Sequence, residues 1–424
     1  MTATTLPPSG LRRVLVVLCV TEITSWGVLF YAFPVLAPGI SAATGWSPST
    51  ITAAFSLGLI VSALAGIGVG RLLDRIGPRP VMTVGAVLAA PAVVLIATAR
   101  SLPWFFVAWF VAGLAMSGVL YAPAFAALTR WWGPRRVTAL TAVTLVAGLA
   151  STVFAPLTAA LSNRFDWRGT YLVLAAVLAV ITIPLHAIGL RGPWPRPEAQ
   201  QAEHSPGRVA RSRPFVMLAA ALSLAAFAVY GVVIIQVPLL LERGLPTGTA
   251  ALALGLGGVG QLCGRIGYGR LSAATSVRGR TAIVLGAGAV TIAVLGVLPG
   301  PAALLIAAAI LVGAARGVFT LLQATAVTDR WGPAHYGRLM GLLSAPMLVV
   351  NALAPWACTA LAGLTGGYPA VFWILAGVTA LSAVLATAST RESQMTATDP
   401  STNPPDTTAA GSTGRSAVST KPTT

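Results

Sequence analysis

The chain contains twelve apolar segments that are each long enough to cross a lipid bilayer, and this pattern leaves little room for any other kind of fold. A transmembrane helix needs about 20 mainly apolar residues. Of the 424 residues, 56% are hydrophobic and only 9% are charged, far less charge than a soluble protein of this size carries. We therefore expect an all-α membrane protein. The predicted spans are residues 14–36, 47–69, 80–98, 102–126, 137–161, 169–190, 214–240, 248–268, 281–298, 301–327, 339–363 and 369–388.

Several short motifs of the first half recur 199 positions later in the second half. Coincidences at one offset indicate two copies of one structural unit. Duplicated apolar halves around a central site are typical of secondary transporters, so we expect two pseudo-symmetric bundles of six helices each. The matched pairs are Gly70 with Gly269, Trp132 with Trp331, Gly133 with Gly332, Pro134 with Pro333, and Pro156 with Pro355.

The spans divide the chain into five predicted parts. The linker between the bundles is rich in Pro, Arg and Gln, and the last part is rich in Thr, Ser and Pro, so we expect both to be flexible. The loops leave no room for an extramembrane catalytic domain, and no nucleophile–base set or cofactor motif occurs, so we expect neither enzyme activity nor a cofactor. The parts are an N-terminal tail over 1–12, a bundle over 13–190, the linker over 191–213, a bundle over 214–389 and a disordered tail over 390–424.

Basic residues are concentrated on one side of the predicted membrane. With twelve spans both termini lie on the same side, and the segments on that side hold 21 of the 27 Lys and Arg residues. The positive-inside rule therefore predicts a multi-pass protein of the inner (plasma) membrane with both termini in the cytoplasm. The net charge of +17 then reflects topology, and the scattered arginines form no basic face for nucleic acid. We expect lipid and a small-molecule substrate as partners, and a monomer.

A motif of charged residues and glycines follows the second span, with the sequence Gly-Arg-Leu-Leu-Asp-Arg-Ile-Gly-Pro-Arg over 70–79. It resembles the loop signature of the major facilitator superfamily, and the resemblance covers about residues 10–390. It implies two bundles that rock around a midplane site and open it alternately to each side. The alternative is that these charges only set topology. The gating residues that the resemblance implies are Gly70, Asp74, Arg75, Gly77 and Arg79.

Four ionisable residues fall inside the predicted spans, namely Glu22, His186, Arg265 and Arg316. Charge inside the bilayer is unfavourable unless it faces a cavity or a partner, so such residues indicate a functional site. Arg265 has no acid near it in sequence, and a free guanidinium suits a carboxylate ligand, although it could instead snorkel to the membrane surface. Arg316 is either a second anion ligand or the partner of a buried acid.

Glu22 is the only carboxylate deep in a predicted span. It is either the proton carrier of a coupled transporter or a permanent ion-pair partner of Arg265 or Arg316. Aromatic side chains with polar tips suit small organic ligands, and such residues occur in the first, fourth and seventh spans. Among them we select Tyr31 and Tyr121 as substrate contacts, and we add Asn351 of the eleventh span.

The segment around Arg265 resembles the eighth helix of the monocarboxylate porter and oxalate/formate exchanger families, in which an arginine holds the substrate carboxylate. The run Tyr-Ala-Phe-Pro over 31–34 and the segment over 131–139 resemble two further motifs of the monocarboxylate porters. Those porters carry a lysine just after the first run, where this chain has Val35, and an aspartate one turn before the arginine, where this chain has Gln261. The lysine and aspartate are the usual proton-coupling pair, so the resemblance implies that a carboxylate carrier of this sequence either has its proton site elsewhere or is not proton-coupled in that way.

These observations favour a secondary active transporter for a small, monocarboxylate-like organic anion, working by proton symport or anion exchange with Arg265 as the carboxylate ligand. The alternative is a proton-coupled multidrug or metabolite efflux pump of the same superfamily. Two arginines near the site would repel cationic drugs, which leaves neutral or anionic compounds for that alternative.

Overall fold

The computed structural model describes residues 6–194, 207–331 and 336–397. Within these residues the twelve predicted spans are all helical, and no strand occurs. The long helices are α1 (Pro8–Thr44), α2 (Pro48–Ile76), α3 (Pro78–Ala97), α4 (Leu102–Trp132), α5 (Thr138–Ser162), α6 (Trp167–Gly189), α7 (Arg213–Glu242), α8 (Thr247–Ala274), α9 (Val277–Val297), α10 (Ala302–Trp331), α11 (Tyr336–Thr365) and α12 (Tyr368–Ala397).

Eleven helices in the described part of the chain are long and apolar enough to cross a membrane, and α8 is not among them. Helix α8 is 28 residues long but is rich in glycine and contains Gln261 and Arg265, which lowers its hydropathy. It packs between α5 and α10, so these neighbours cover Gln261 and part of Arg265. The chain is thus an all-α membrane protein, as predicted.

The helices extend beyond the predicted spans at several ends. Helix α1 begins at Pro8 and ends at Thr44, and α12 continues to Ala397, so the predicted start of the tail at residue 390 falls inside a helix. The remainder of that tail, 398–424, and the linker residues 195–206 lie outside the described residues, and so do residues 332–335 of the repeated Trp-Gly-Pro motif.

Each half of the chain forms its own bundle of six helices. In the first half α4 packs on α2 and α3, and α3 packs on α6. In the second half α8 packs on α10, while α12 packs on α7 and α9. The bundles meet through three helix pairs, α1 with α7, α2 with α11 and α5 with α8. Helix α2 corresponds to α8 in the other half, and α5 corresponds to α11. A pseudo-twofold axis therefore relates the α2–α11 pair to the α5–α8 pair.

Two hydrogen bonds join the bundles at these helix pairs. The Thr152 hydroxyl on α5 donates to the Gly255 carbonyl on α8 at 2.7 Å, and the Trp356 amide on α11 donates to the Ser56 hydroxyl on α2 at 3.2 Å. Ser56 and Gly255 are 199 positions apart, the offset of the sequence repeat. The repeat therefore corresponds to a structural duplication whose copies face each other.

These two contacts lie nearer one end of the molecule than the other. We call the end where α1 begins and α2 ends the arginine-rich face, and the other end the opposite face. Both hydrogen bonds lie in the helix halves nearer the opposite face.

Candidate functional site

A cavity lies where the two bundles meet. Its walls come from α1, α4 and α5 of the first bundle and from α7, α8 and α10 of the second. We call it the central cavity, and its lining residues are Trp26, Phe30, Tyr31, Tyr121, Ala147, Gly148, Val229, Tyr230, Val233, Gln261, Arg265, Arg316 and Thr320.

Four of the predicted substrate contacts line this cavity together: Tyr31, Tyr121, Arg265 and Arg316. They are far apart in sequence and come from four different helices. Asn351 is not among the lining residues.

The guanidinium of Arg265 reaches from α8 across the cavity to the other bundle. Its Nη1 donates to the Thr144 carbonyl on α5 at 2.9 Å, and its buried Nε has no hydrogen-bond partner among the described residues. The Thr144 carbonyl also accepts the Gly148 amide at 2.9 Å, where α5 is interrupted. Arg265 therefore joins the two bundles at the cavity and retains an unused donor there, rather than snorkelling free of the protein.

Arg316 is held from within its own bundle. Its Nη2 donates to the Gln261 side-chain oxygen at 2.6 Å. Gln261 is neutral, and none of the lining residues, all in the described part of the chain, carries a carboxylate. The central cavity therefore holds two guanidinium groups without a counter-charge, an arrangement that attracts an anion.

Close packing of α8 on α10 sets the positions of both arginines. A Cβ added to Gly313 would lie 1.9 Å from the Gly257 carbonyl oxygen, and one added to Gly264 would lie 2.2 Å from that of Ala314. Only glycine permits such close backbones, as in the small-xxx-small pairs of membrane helices. Arg265 follows Gly264 directly and Arg316 precedes Gly317, so this contact determines where the guanidinium groups emerge.

The sequence analysis missed this contact, although a signal for it exists. Gly260 and Gly264 on α8, and Gly313 and Gly317 on α10, are each four residues apart. A Cβ at Gly260 or Gly317 would also lie within 2.2 Å of a carbonyl oxygen of the facing helix. Both pairs match the small-xxx-small spacing that brings membrane helices together.

Two helices of the first bundle, α1 and α4, are irregular where they line the cavity. Helix α1 widens into a π-helix over Gly27–Tyr31, just before Pro34, which cannot donate to the Phe30 carbonyl. Helix α4 is broken at Leu120, where ψ is −171°, because Pro123 cannot continue the helical hydrogen bonds. Interrupted helices at membrane depth are typical of transporter sites because they free backbone groups and redirect side chains.

Aromatic rings cover the first-bundle side of the cavity. The ring centroids of Trp26 and Tyr121 are 4.9 Å apart, and those of Phe30 and Tyr31 are 5.2 Å apart. Phe30 also meets Tyr230 of the second bundle edge-on at 6.0 Å. The cavity thus combines a cationic wall with an aromatic wall, which suits an organic anion with an apolar part.

Glu22 lies behind the aromatic wall rather than on it. It is fully buried, and neither carboxylate oxygen has a hydrogen-bond partner among the described residues. Trp26, one helical turn further along α1, lines the cavity, and its indole N–H is also unpaired within the described chain. Arg265 and Arg316 donate to other groups in this conformation, so the structure contains no ion pair between Glu22 and either arginine.

Asn351 lies on α11, and its side-chain oxygen is buried with no hydrogen-bond partner in the described part of the chain. It is 199 positions after Thr152, whose hydroxyl bridges α5 to α8. By that symmetry Asn351 corresponds to a residue of the inter-bundle contact. From its sequence position alone, Asn351 could not be assigned to the contact between the bundles rather than to the wall of the central cavity.

The predicted gating residues lie at the arginine-rich face. Asp74, at the end of α2, forms an ion pair with Arg130 at the end of α4. Gly77 ends α2 with a φ of 85°, a left-handed conformation that favours glycine, and Arg79 Nε donates to the Ala187 carbonyl at 2.8 Å. Gly70 and Arg75 are exposed. The motif therefore ties α2 to α4 and α3 to α6 within the first bundle.

Trp194 of the linker covers this ion pair. Its ring lies 4.7 Å from the Arg130 guanidinium, and its indole N–H donates to the Asp74 carbonyl at 3.2 Å. Trp131 meets the Trp194 ring edge-on at 5.4 Å and donates to the Pro193 carbonyl. The beginning of the linker is thus fastened to the end of the first bundle.

We expect Trp194→Ala to release the start of the linker. The lost cation–π contact and hydrogen bond together stabilise it by about 1–2 kcal/mol, so trypsin should cleave after Arg191 roughly fivefold to thirtyfold faster. Mass spectrometry of the fragments measures this rate. Trp373→Ala is the control, because Trp373 is exposed on α12. Equal cleavage rates in wild type and Trp194→Ala would show that the contact does not hold the linker.

Residues 18–303 and 277–422 match the Major Facilitator Superfamily. The chain therefore belongs to this superfamily and is a membrane transporter rather than an enzyme. Its fold is similar to that of a bacterial homologue of the human lysosomal transporter Spinster, with a TM-score of 0.68, 14% identity, and coverage of 92% of this chain and 97% of that one. The nucleoside transporter NupG gives a TM-score of 0.70 at 14% identity, with 89% and 99% covered.

Curated relatives include two kinds of transporter. Mouse monocarboxylate transporter 11 is 32% identical over 223 residues, 51% of this chain and 49% of that protein. Bovine monocarboxylate transporter 13 is 28% identical over 256 residues, 58% and 56%. Multidrug resistance protein MdtL of Klebsiella pneumoniae is 26% identical over 226 residues, 52% and 56%. The matched part of the chain thus spans only about half the length of each of these relatives.

Proposed function

We propose that this transporter carries an organic anion with a single carboxylate, which binds in the central cavity between Arg265 and Arg316. The observation that supports this proposal is the pair of guanidinium groups on a cavity wall without any acidic residue. A carboxylate there accepts charge-assisted hydrogen bonds from the free Arg265 Nε and from the Arg316 guanidinium. Tyr31 and Tyr121 contact the organic part of the substrate.

Transport follows from exchanging the contacts that join the bundles. With the arginine-rich face in the cytoplasm, as the distribution of arginines favours, the opposite face lies on the outer side of the membrane. Opening to the outside requires the α5–α8 and α2–α11 contacts at the opposite face to separate. Arg265 spans the bundles through its hydrogen bond to the Thr144 carbonyl. A carboxylate that competes for this guanidinium therefore changes the relative free energies of the two conformations.

Glu22 supplies the proton site in this proposal. It is buried, unpaired and one side chain removed from the cavity, behind Trp26. A proton taken up by Glu22 removes a negative charge near the cavity and so favours binding of an anion there. This location differs from the lysine–aspartate pair that the resemblance implies for monocarboxylate porters, whose positions are Val35 and Gln261 in this chain.

The relatives named as monocarboxylate transporters support the anion, and the relative named as a multidrug resistance protein supports a second candidate, efflux of drugs or metabolites. The aromatic wall of Trp26, Phe30, Tyr31 and Tyr121 favours flat apolar compounds and is the structural feature in favour of efflux. The two guanidinium groups restrict such cargo to neutral or anionic molecules.

Uptake into proteoliposomes tests the proposal and the role of Glu22. We expect wild type to take up radiolabelled carboxylates saturably and to concentrate them roughly tenfold for an imposed gradient of one pH unit, if one proton is coupled. Glu22→Gln should keep exchange of internal for external carboxylate but lose accumulation driven by the gradient.

Cys19→Ala serves as the control, because it changes the same helix within one turn of Glu22 without removing a charge. Loss of exchange together with accumulation in Glu22→Gln would assign the residue a structural role instead. Absence of carboxylate uptake in wild type, with export of neutral or anionic drugs, would establish the efflux alternative.

A further inference from the structure

Four buried polar atoms without partners lie on one face of α1. They are both carboxylate oxygens of Glu22, the hydroxyl oxygen of Ser25 and the indole nitrogen of Trp26, and none has a hydrogen-bond partner among the described residues. Positions i, i+3 and i+4 lie side by side on a helix, so the four atoms are neighbours. Thr21 and Thr24, in contrast, donate to carbonyls of their own helix. Buried polar groups are nearly always hydrogen-bonded, so this cluster indicates a functional role.

Trp26 connects this face of α1 to the central cavity. Its indole N–H is the side-chain donor that interacts with the Glu22 carboxylate, although the contact falls short of a hydrogen bond in this conformation. Its ring lines the central cavity and lies 4.9 Å from the ring of Tyr121. A movement of the indole therefore changes both the surroundings of Glu22 and the wall that faces the substrate.

Few other groups can respond to the charge of Glu22. Cys19 on α1 and Tyr121 on α4 are the titratable residues that interact with it electrostatically. Helices α5 and α6 also pack on this part of α1. Helix α5 contains no ionisable residue, and His186 on α6 faces the backbone of Met82 instead. Glu22 forms no ion pair within the described chain, so its ionised form depends on neutral hydrogen-bond donors.

The two charge states of Glu22 place different demands on these donors. An ionised carboxylate only accepts hydrogen bonds, and it is unfavourable inside the protein without a donor. A protonated carboxyl group has an O–H donor of its own and accepts more weakly. An indole N–H can only donate, so it binds the ionised form better than the protonated one. Proton uptake by Glu22 therefore weakens the attraction between its carboxyl group and the indole.

We infer that Trp26 transmits the charge state of Glu22 to the substrate: the ionised carboxylate accepts the indole N–H and draws the ring toward Glu22, and protonation releases the ring to the cavity wall. The proton adds to a carboxylate oxygen, and the indole N–H bond stays intact throughout. This inference rests on the proposed role of Glu22 as the proton site and adds the positioning residue that couples that site to the cavity. By reciprocity, a bound carboxylate that fixes the ring favours protonated Glu22.

The first test follows the indole N–H signals of the full-length protein by NMR, with ¹⁵N-labelled tryptophan in detergent micelles, as the pH is raised. The Trp26 signal is the one missing from Trp26→Phe. We expect it to move downfield in wild type, because the new hydrogen bond deshields the proton, and to stay fixed in Glu22→Gln. Trp109 is the internal control, since its indole nitrogen is also buried and unpaired within the described chain but does not line the cavity.

A carboxyl label shows when Glu22 itself titrates. Glutamate labelled with ¹³C at the side-chain carboxyl gives a Glu22 signal in the same sample, identified by its absence from Glu22→Gln. If Glu22 titrates while the Trp26 signal stays fixed, the inference is wrong. If Glu22 keeps one charge state over the whole pH range in which the protein stays folded, Glu22 is not the proton site, and the inference falls with it.

The second test measures steady-state accumulation of radiolabelled lactate in proteoliposomes under a fixed proton gradient. Trp26→Phe keeps an aromatic ring but lacks the N–H donor. It also slows exchange because it removes part of the aromatic wall, so the readout is the final ratio of internal to external lactate, which does not depend on rate in a tightly coupled carrier. We expect this ratio to fall below about half of the wild-type value. Trp109→Phe makes the same change away from the cavity and should match wild type.

The outcomes separate this inference from the proposed function. A wild-type ratio in Trp26→Phe would overturn the inference and leave Glu22 as the proton site. If wild type transports no carboxylate, the proposed substrate is wrong, and the NMR titration alone then decides whether Trp26 follows the charge of Glu22.

Discussion

Arg265→Gln should reduce carboxylate uptake roughly 10- to 150-fold at low substrate concentration. The variant replaces the charged guanidinium that spans the bundles with a neutral amide. The expected loss follows because a hydrogen bond to a charged group is worth about 1.5–3 kcal/mol. Gln261 and Gly264 on the same helix are unchanged, so the packing of α8 on α10 remains. Initial rates of uptake into proteoliposomes, at concentrations well below saturation, measure the effect.

Arg265→Lys and Arg316→Gln distinguish the reasons for such a loss. Lysine retains the charge without the two-pronged geometry, so Arg265→Lys should recover part of the uptake. Arg316→Gln should impair uptake too, because Arg316 carries the second uncompensated charge of the cavity. Near-normal transport by Arg265→Gln would remove Arg265 from the substrate site and leave it the single role of bridging to the Thr144 carbonyl.

The architecture could be predicted from the sequence because bilayer physics and duplication both leave plain marks in it. The length of the apolar segments predicts the helices, and the 199-residue offset predicts two related bundles. Ser56 and Gly255, which are separated by that offset, both form contacts between the bundles. The exact helix ends could not be predicted, because polar residues of α1 and α12 continue the helix beyond the apolar core.

The charges of the candidate site could also be found in the sequence, since an arginine inside an apolar span is conspicuous. They do not follow the repeat: the positions 199 before Arg265 and Arg316 are Gly66 and Ser117. The sequence could not show which polar residues line the central cavity and which lie outside its wall. Glu22 and Asn351 fall on suitable helices, yet one lies behind Trp26 and the other is absent from the cavity wall. Helix rotation and local irregularities, such as the π-helix of α1, decide this.

Gly313→Val should prevent stable folding of the second bundle. Its Cβ would lie 1.9 Å from the Gly257 carbonyl oxygen, which belongs to backbone and cannot rotate away. Helices α8 and α10 would have to separate along their length, and overpacking of this kind costs about 3 kcal/mol or more. We expect a large fall in the yield of monodisperse protein and in its apparent melting temperature, the temperature at which half of the monodisperse peak is lost. Both are measured by fluorescence-detected gel filtration in detergent.

Gly267→Val provides the matched control, because it places the same side chain on α8 where an added Cβ would meet nothing within 4 Å. It should behave as wild type. Gly313→Ala adds the same Cβ without the two methyl groups of valine, so it should also lower stability, although less than valine does, and the resulting separation of α8 and α10 displaces Arg265 relative to Arg316. Such a variant should keep its fold but bind carboxylate more weakly, since a misplacement near 1 Å weakens a preorganised site. Wild-type stability in Gly313→Val would mean that α8 and α10 do not approach this closely, and the glycine contact could then no longer account for the positions of the two arginines.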